Sequence, residues 1–137
     1  MSNDLVLLVA RIFLVALFLA SGIPLIFAPG GFAGFMGSIG LPAPMLVTWI
    51  VIAVKVLGGL AVLVGFQTRY AAYALAAFSI GSALLGHTSW ADMNEFNNFF
   101  KNFAIAGGFL LLAGHGAGVW SLDARLKGRG VRKFAQA

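Results

Sequence analysis

The stretch from Pro44 to Phe66, PMLVTWIVIAVKVLGGLAVLVGF, restricts the possible folds more than any other part of the chain. As a helix rising ~1.5 Å per residue, it is long enough to cross the ~30 Å hydrocarbon layer of a bilayer. Its single charge, Lys55, falls at mid-length. An ionisable side chain at that depth costs about 2.5 kcal/mol or more, and it faces protein or water rather than lipid. Lys55, Gly58, Gly59 and Val62 share one side of such a helix, and the two glycines let a second backbone approach closely. The stretch therefore predicts an all-α integral membrane bundle built around a polar point on its second span.

Composition supports the same class. Hydrophobic residues make up 61% of the 137 and charged residues 9%, which lies outside the range of soluble globular domains. The length fits one domain, residues 1–137. The net charge of +5 does not point to nucleic acid, because most of the surplus sits in the tail at Arg125, Lys127, Arg129, Arg132 and Lys133. Anionic lipid is the simpler partner for that tail, residues 119–137. The chain has no cysteine, so it holds no disulfide, Cys-ligated metal or thiol relay.

Three further apolar runs complete a four-helix bundle with spans near 5–27, 44–66, 69–87 and 98–115. The first lacks a basic leader region, is too long for a signal peptide and contains Arg11, so it reads as an uncleaved span. Arg11 lies about two turns in, where a long side chain reaches the headgroups by snorkelling; an arginine facing the bundle is the alternative. Between spans one and two, residues 28–43 are uncharged, and Phe32, Phe35, Met36 and Ile39 follow helical spacing. That pattern predicts a short amphipathic helix in the interface, closed by a turn at Pro42 and Pro44. The third span is rich in alanine, serine and glycine, which favours close packing. Its Ser79 lies near mid-depth and is a candidate partner for Lys55, alongside Ser21 and the backbone carbonyls beside Gly107.

The polar loop after the third span carries His87, Asp92 and Glu95. Asp92 and Glu95 have the spacing of a helix-capping pair, a better reading than metal ligands; no metal site is predicted. The fourth span places Lys101 near its start, where the helix dipole disfavours a cation, so a partner or ligand is expected there. Gly107 and Gly108 mark a close-packed mid-span, and His115 lies at the far end.

The ordered motifs resemble the DoxX family. They are Arg11 with Ser21-Gly22-x-Pro24, the Gly40-x-Pro42-x-Pro44 turn, Gly65-Phe66-x-Thr68-Arg69 and Gly86-His87-x-x-Trp90. Asn98 to Asn102 with Ala106-Gly107-Gly108, and Gly116-x-Gly118-x-x-Ser121-Leu122-Asp123, complete them. The resemblance covers nearly the whole chain and implies a small four-helix protein of the bacterial inner membrane, in some cases linked to quinone-dependent electron transfer. Many members of that family carry a glutamate where this chain has Lys55, and a proline where it has Ala117.

Two functions follow. The first is a redox-linked membrane subunit that binds a quinone or another lipophilic ligand, with electrons supplied by a partner chain. The second is a non-enzymatic accessory or small-molecule transport protein. Ligand-binding candidates are Lys55, Ser79, Lys101, Arg11 and His87; Gly58, Gly59, Gly107 and Gly108 are packing candidates, and no catalytic residue is assigned. Arg69 and the tail lie on one side and Asp92 and Glu95 on the other, which predicts that both termini are cytoplasmic. A homo-oligomer or a redox partner chain is compatible with this architecture.

Overall fold

Ser2 opens the first helix: its hydroxyl accepts from the Leu5 backbone N–H at 3.2 Å, and Asp4 places a negative charge at the helix's positive end. This helix, α1, runs Asn3–Phe27 through Pro24 and stops at Ala28, ahead of Pro29. The computed structural model describes residues 2–128, and among them there are helices and turns but no strand.

The short helix expected between the first two spans is present as α2, Gly30–Ser38, with Ala33 and Met36 buried. It closes in a Schellman turn: Leu41 N–H donates to the Met36 carbonyl and Gly40 N–H to that of Gly37. Gly40 adopts φ 87°, which glycine reaches without the penalty of a Cβ. Helix α3, Pro44–Val64, begins with proline in its first turn, where the missing N–H costs nothing. Over Val54–Gly58 its hydrogen bonds widen to the π pattern, and Lys55 lies in that widened turn.

Helix α4 spans Thr68–Gly86 and helix α5 spans Met93–His115. The latter starts well before Asn98, because the Asp92 side chain accepts from Asn94 N–H at 2.9 Å and so starts the helix inside the polar segment. Lys101 consequently lies about two turns inside α5 and not in its first turn. After Gly116, at φ 91°, the chain turns back and forms a last helical segment over 122–128. The tail residues Arg129, Arg132 and Lys133 lie outside the described residues.

The four long helices share one core. Val15 and Phe18 of α1, Val62 of α3, Leu75 and Ala76 of α4 and Phe109 of α5 are buried together. Phe18 meets Phe109 and Phe78 edge-on, at centroid distances of 5.5 and 6.1 Å. The outer surface is apolar as well: Phe13, Phe27 and Leu111 are 74%, 83% and 78% exposed. Exposure of that kind around a whole molecule suits lipid and not water. Asn3–Phe27 and Pro44–Val64 are long and apolar enough to cross a membrane. Helices α4 and α5, with 19 and 23 residues, have the length but carry more polar side chains.

Candidate functional site

Lys55 leaves the widened turn of α3 and runs against α1, where its Nζ donates to Ser21 Oγ at 3.1 Å. Gly22 makes this path possible. A Cβ added there would lie 2.8 Å from Lys55 Cβ and 3.2 Å from a Val56 methyl. The Ser21-Gly22 pair thus supplies a hydroxyl and the room to reach it. The ammonium also lies 6.0 Å from the Phe32 ring centre and 5.9 Å from that of Phe78, at the outer edge of cation–π range.

Beside Lys55 lies a half-open cavity of about 600 Å³, bounded by α1, α2, α3, α4 and the first half of α5. Phe18, Phe32, Met36, Val51, Phe78 and Leu85 form much of its wall. Its polar groups are few: Ser21, Lys55, Ser82, His87, Asn98, Lys101 and Asn102. An apolar chamber of this size with a few convergent polar groups is the usual form of a small-molecule site. A second hollow of about 640 Å³ lies between α1 and α5, but its lining is aliphatic and aromatic apart from His115 and glycine. His115 is the one polar side chain there to orient a polar head.

Of the five ligand-binding candidates, the fold brings Lys55, Lys101 and His87 to one cavity. His87 Nδ1 lies 3.1 Å from Glu95 Oε2, so Glu95 pairs with the histidine while Asp92 alone caps α5. Among the described residues no three His, Asp or Glu side chains cluster as metal ligands. Ser79 is fully buried and donates to the Leu75 carbonyl of its own helix at 2.9 Å, leaving Ser21 as the partner of Lys55. The serine one turn on, Ser82, lines the cavity instead. Helical spacing from Ser79 was the signal for it; Asn98 and Asn102, one turn apart on α5, carried a similar one.

Arg11 does not snorkel. It is 1% exposed and donates to four backbone carbonyls: Val62 at 2.9 Å, Leu63 at 2.6 Å, Ala117 at 3.2 Å and Trp120 at 2.7 Å. The free carbonyls at the ends of α3 and of the α5 turn supply the acceptors that lipid headgroups were expected to provide. Arg11 is thus at the opposite end of the bundle from the cavity. Gly65 is held against this node: at φ 75°, its missing Cβ leaves space taken by Ser121 and the Arg11 guanidinium.

Asp123 completes the node. Its carboxylate accepts from Gln67 N–H at 2.8 Å and Thr68 N–H at 3.0 Å, capping α4 from the other end of the chain. Burial raises the Asp123 carboxyl's pKa, but the Thr68 and Gln67 donors and the Arg11 charge outweigh it and hold the group below its ordinary value of 3.8. Of the packing glycines, Gly58 lies against Leu75, Gly59 against Leu19 and Gly108 against Leu14. Gly107 faces open space and makes no such contact.

This arrangement, an all-helical body with an apolar exterior and a polar-tipped internal cavity, defines a small helical membrane protein. The chain belongs to the DoxX family: the DoxX family model matches residues 6–88. It is 39% identical over 130 residues to inner membrane protein YphA of Escherichia coli (strain K12), covering 90% of this chain and 92% of that protein. To inner membrane protein YqjF of the same organism it is 41% identical over 121 residues, 88% of this chain and 92% of the relative. No solved structure matches the chain.

Proposed function

We propose that this chain is a four-span inner-membrane protein that binds a lipophilic small molecule, with the ligand's polar head at Lys55. The observation that carries the reading is the Lys55 ammonium at the wall of a 600 Å³ apolar cavity with one neutral hydrogen-bond partner, Ser21, among the described residues. An ammonium has three donors, so two are left for a ligand. In this reading α4 and α5 span the membrane alongside α1 and α3. Both termini are cytoplasmic, since Arg69, Arg125 and Lys127 share the Arg11 end and Asp92 and Glu95 the other. The cavity then lies in the periplasmic half of the bilayer.

A quinone is the ligand that the family resemblance implies, and the residues fit one. Lys55 is a donor for a carbonyl oxygen, Phe32 and Phe78 are walls for a ring, and Asn98 and Asn102 are amides nearer the polar end. A quinone there supplies electron acceptance. The electrons come from a partner chain, because this one has no cysteine and its two histidines, His87 and His115, both lie at helix ends. A second reading, a non-enzymatic accessory or small-molecule transport protein, is favoured by one observation: Glu95 is paired with His87 at 3.1 Å, so neither is free to act as a base at the cavity.

Mass spectrometry of lipophilic molecules co-purifying with the protein in mild detergent tests the proposal. The expected result is one species enriched with wild type and depleted with Lys55→Met. Equal lipid content in both, with no ligand-dependent rise in melting temperature, would exclude a ligand site at Lys55.

A further inference from the structure

We infer that the cavity selects a lipophilic anion: a single-chain or compact-ring amphiphile whose head is an oxyanion, held between Lys55 and Lys101. The inference rests on the ligand-binding reading above and decides among its ligands. The chain has four carboxylate side chains, and each is engaged or distant. Asp4 stands at the start of α1 near Gly118, and Asp123 caps α4, both at the Arg11 end of the bundle. Asp92 caps α5, and Glu95 pairs with His87 at 3.1 Å.

Lys55 and Lys101 both line the cavity, and among the described residues neither forms a salt bridge. The cavity therefore holds two cationic side chains, Lys55 half-buried and Lys101 exposed, and no carboxylate lines it. Lys55, half-buried at mid-span, is costly as a cation until an opposite charge joins it, and Lys101 adds a second donor towards the opening. An oxyanion is that charge, and its hydrogen bonds to ammonium groups are stronger than those of a neutral carbonyl or hydroxyl. The two lysines come from different helices, α3 and α5, with Lys101 the more exposed. This places one cation at depth and one towards the opening. Phe18, Phe32, Met36, Val51, Phe78 and Leu85 receive the apolar body. A cavity of about 600 Å³ is in the range for one small ligand, which favours a single chain or ring system over a two-chain lipid.

The head chemistry has two sources, a carboxylate and a phosphate monoester. Full-length protein in nanodiscs of neutral lipid is titrated with radiolabelled hexadecanoic acid, the lysophosphatidic acid of the same chain, hexadecanol and a short-chain ubiquinone analogue. One or both oxyanions should bind about tenfold or more tighter than the alcohol and the quinone analogue. The tighter of the two identifies the head. Lys55→Met and Lys101→Gln should each lower oxyanion affinity more than alcohol affinity, so that the two converge, and a wild-type helical circular-dichroism spectrum with cooperative melting shows that both variants are folded. Equal affinity of wild type for neutral and anionic probes overturns the inference and leaves the lipophilic site standing. So does an oxyanion preference untouched by both substitutions. Absence of saturable binding by all four probes overturns the site itself.

Discussion

Gly22 and Lys55 are shaped to one another: the space a side chain would occupy at position 22 is filled by the Lys55 stem, 2.8 Å from where the added Cβ would lie. The lysine reaches Ser21, and hence the cavity, because the neighbouring residue has no side chain. The polar point of this protein is thus a property of the α1–α3 contact and not of α3 alone.

That contact is testable against a glycine that touches nothing. Gly22→Ala should separate α1 from α3 and lower stability by about 1–3 kcal/mol, the usual cost of overpacking. Gly107→Ala, facing open space, should be neutral or stabilising by up to about 1 kcal/mol from helix propensity. Thermal unfolding in detergent compares them; equal melting temperatures for the two variants would contradict the packing described.

Arg11 is a structural clamp. Arg11→Ala strands four carbonyls and should cost about 3 kcal/mol or more, since hydrogen bonds to charged groups contribute about 1.5–3 kcal/mol each and are not additive. Arg11→Lys should recover only part of this, because an ammonium cannot span the fork that a guanidinium covers. An Arg11→Ala protein that melts with wild type would restore the snorkelling reading.

Asp123 makes a pH prediction. Its folded-state pKa is below its ordinary value of 3.8, so the unfolded chain binds the proton more readily. The stability it contributes is therefore complete above that ordinary value and is lost as pH falls through the lower, folded-state value. Melting temperature should show no Asp123-dependent change from pH 7 to 5 and fall below about pH 4. Asp123→Asn should melt lower than wild type at neutral pH and lose less on acidification. An acid response identical in the two proteins would show that the cap carries no such stability.

The charge asymmetry predicts the orientation. A dual reporter fused after Ala137 should be active in its cytoplasmic form, and one placed in the 87–92 loop in its periplasmic form. The reverse pattern would put the cavity in the cytoplasmic half of the membrane.

Hydropathy and helical spacing are local, and what depends on them was legible in the residues: the membrane class, the two most apolar spans, the short helix after Pro29, the Asp92 cap and the charge at Lys55. Of the polar residues that line the cavity, Lys101 and His87 stood out for the same reason as Lys55, as polar groups against apolar surroundings. Partner choice was not legible. Lys55 takes Ser21, 34 residues away, over Ser79, and Arg11 reaches Trp120, 109 residues away, over the headgroups. Asp123 caps Thr68 across 55 residues, and Gly108 packs against Leu14 while adjacent Gly107 faces outward. In a water-soluble helix a polar stripe marks the outer face and sets the rotation. Here the lipid-facing and core-facing sides are equally apolar, so the rotation of each helix, and with it every long-range polar pair, was decided only when the four helices packed together.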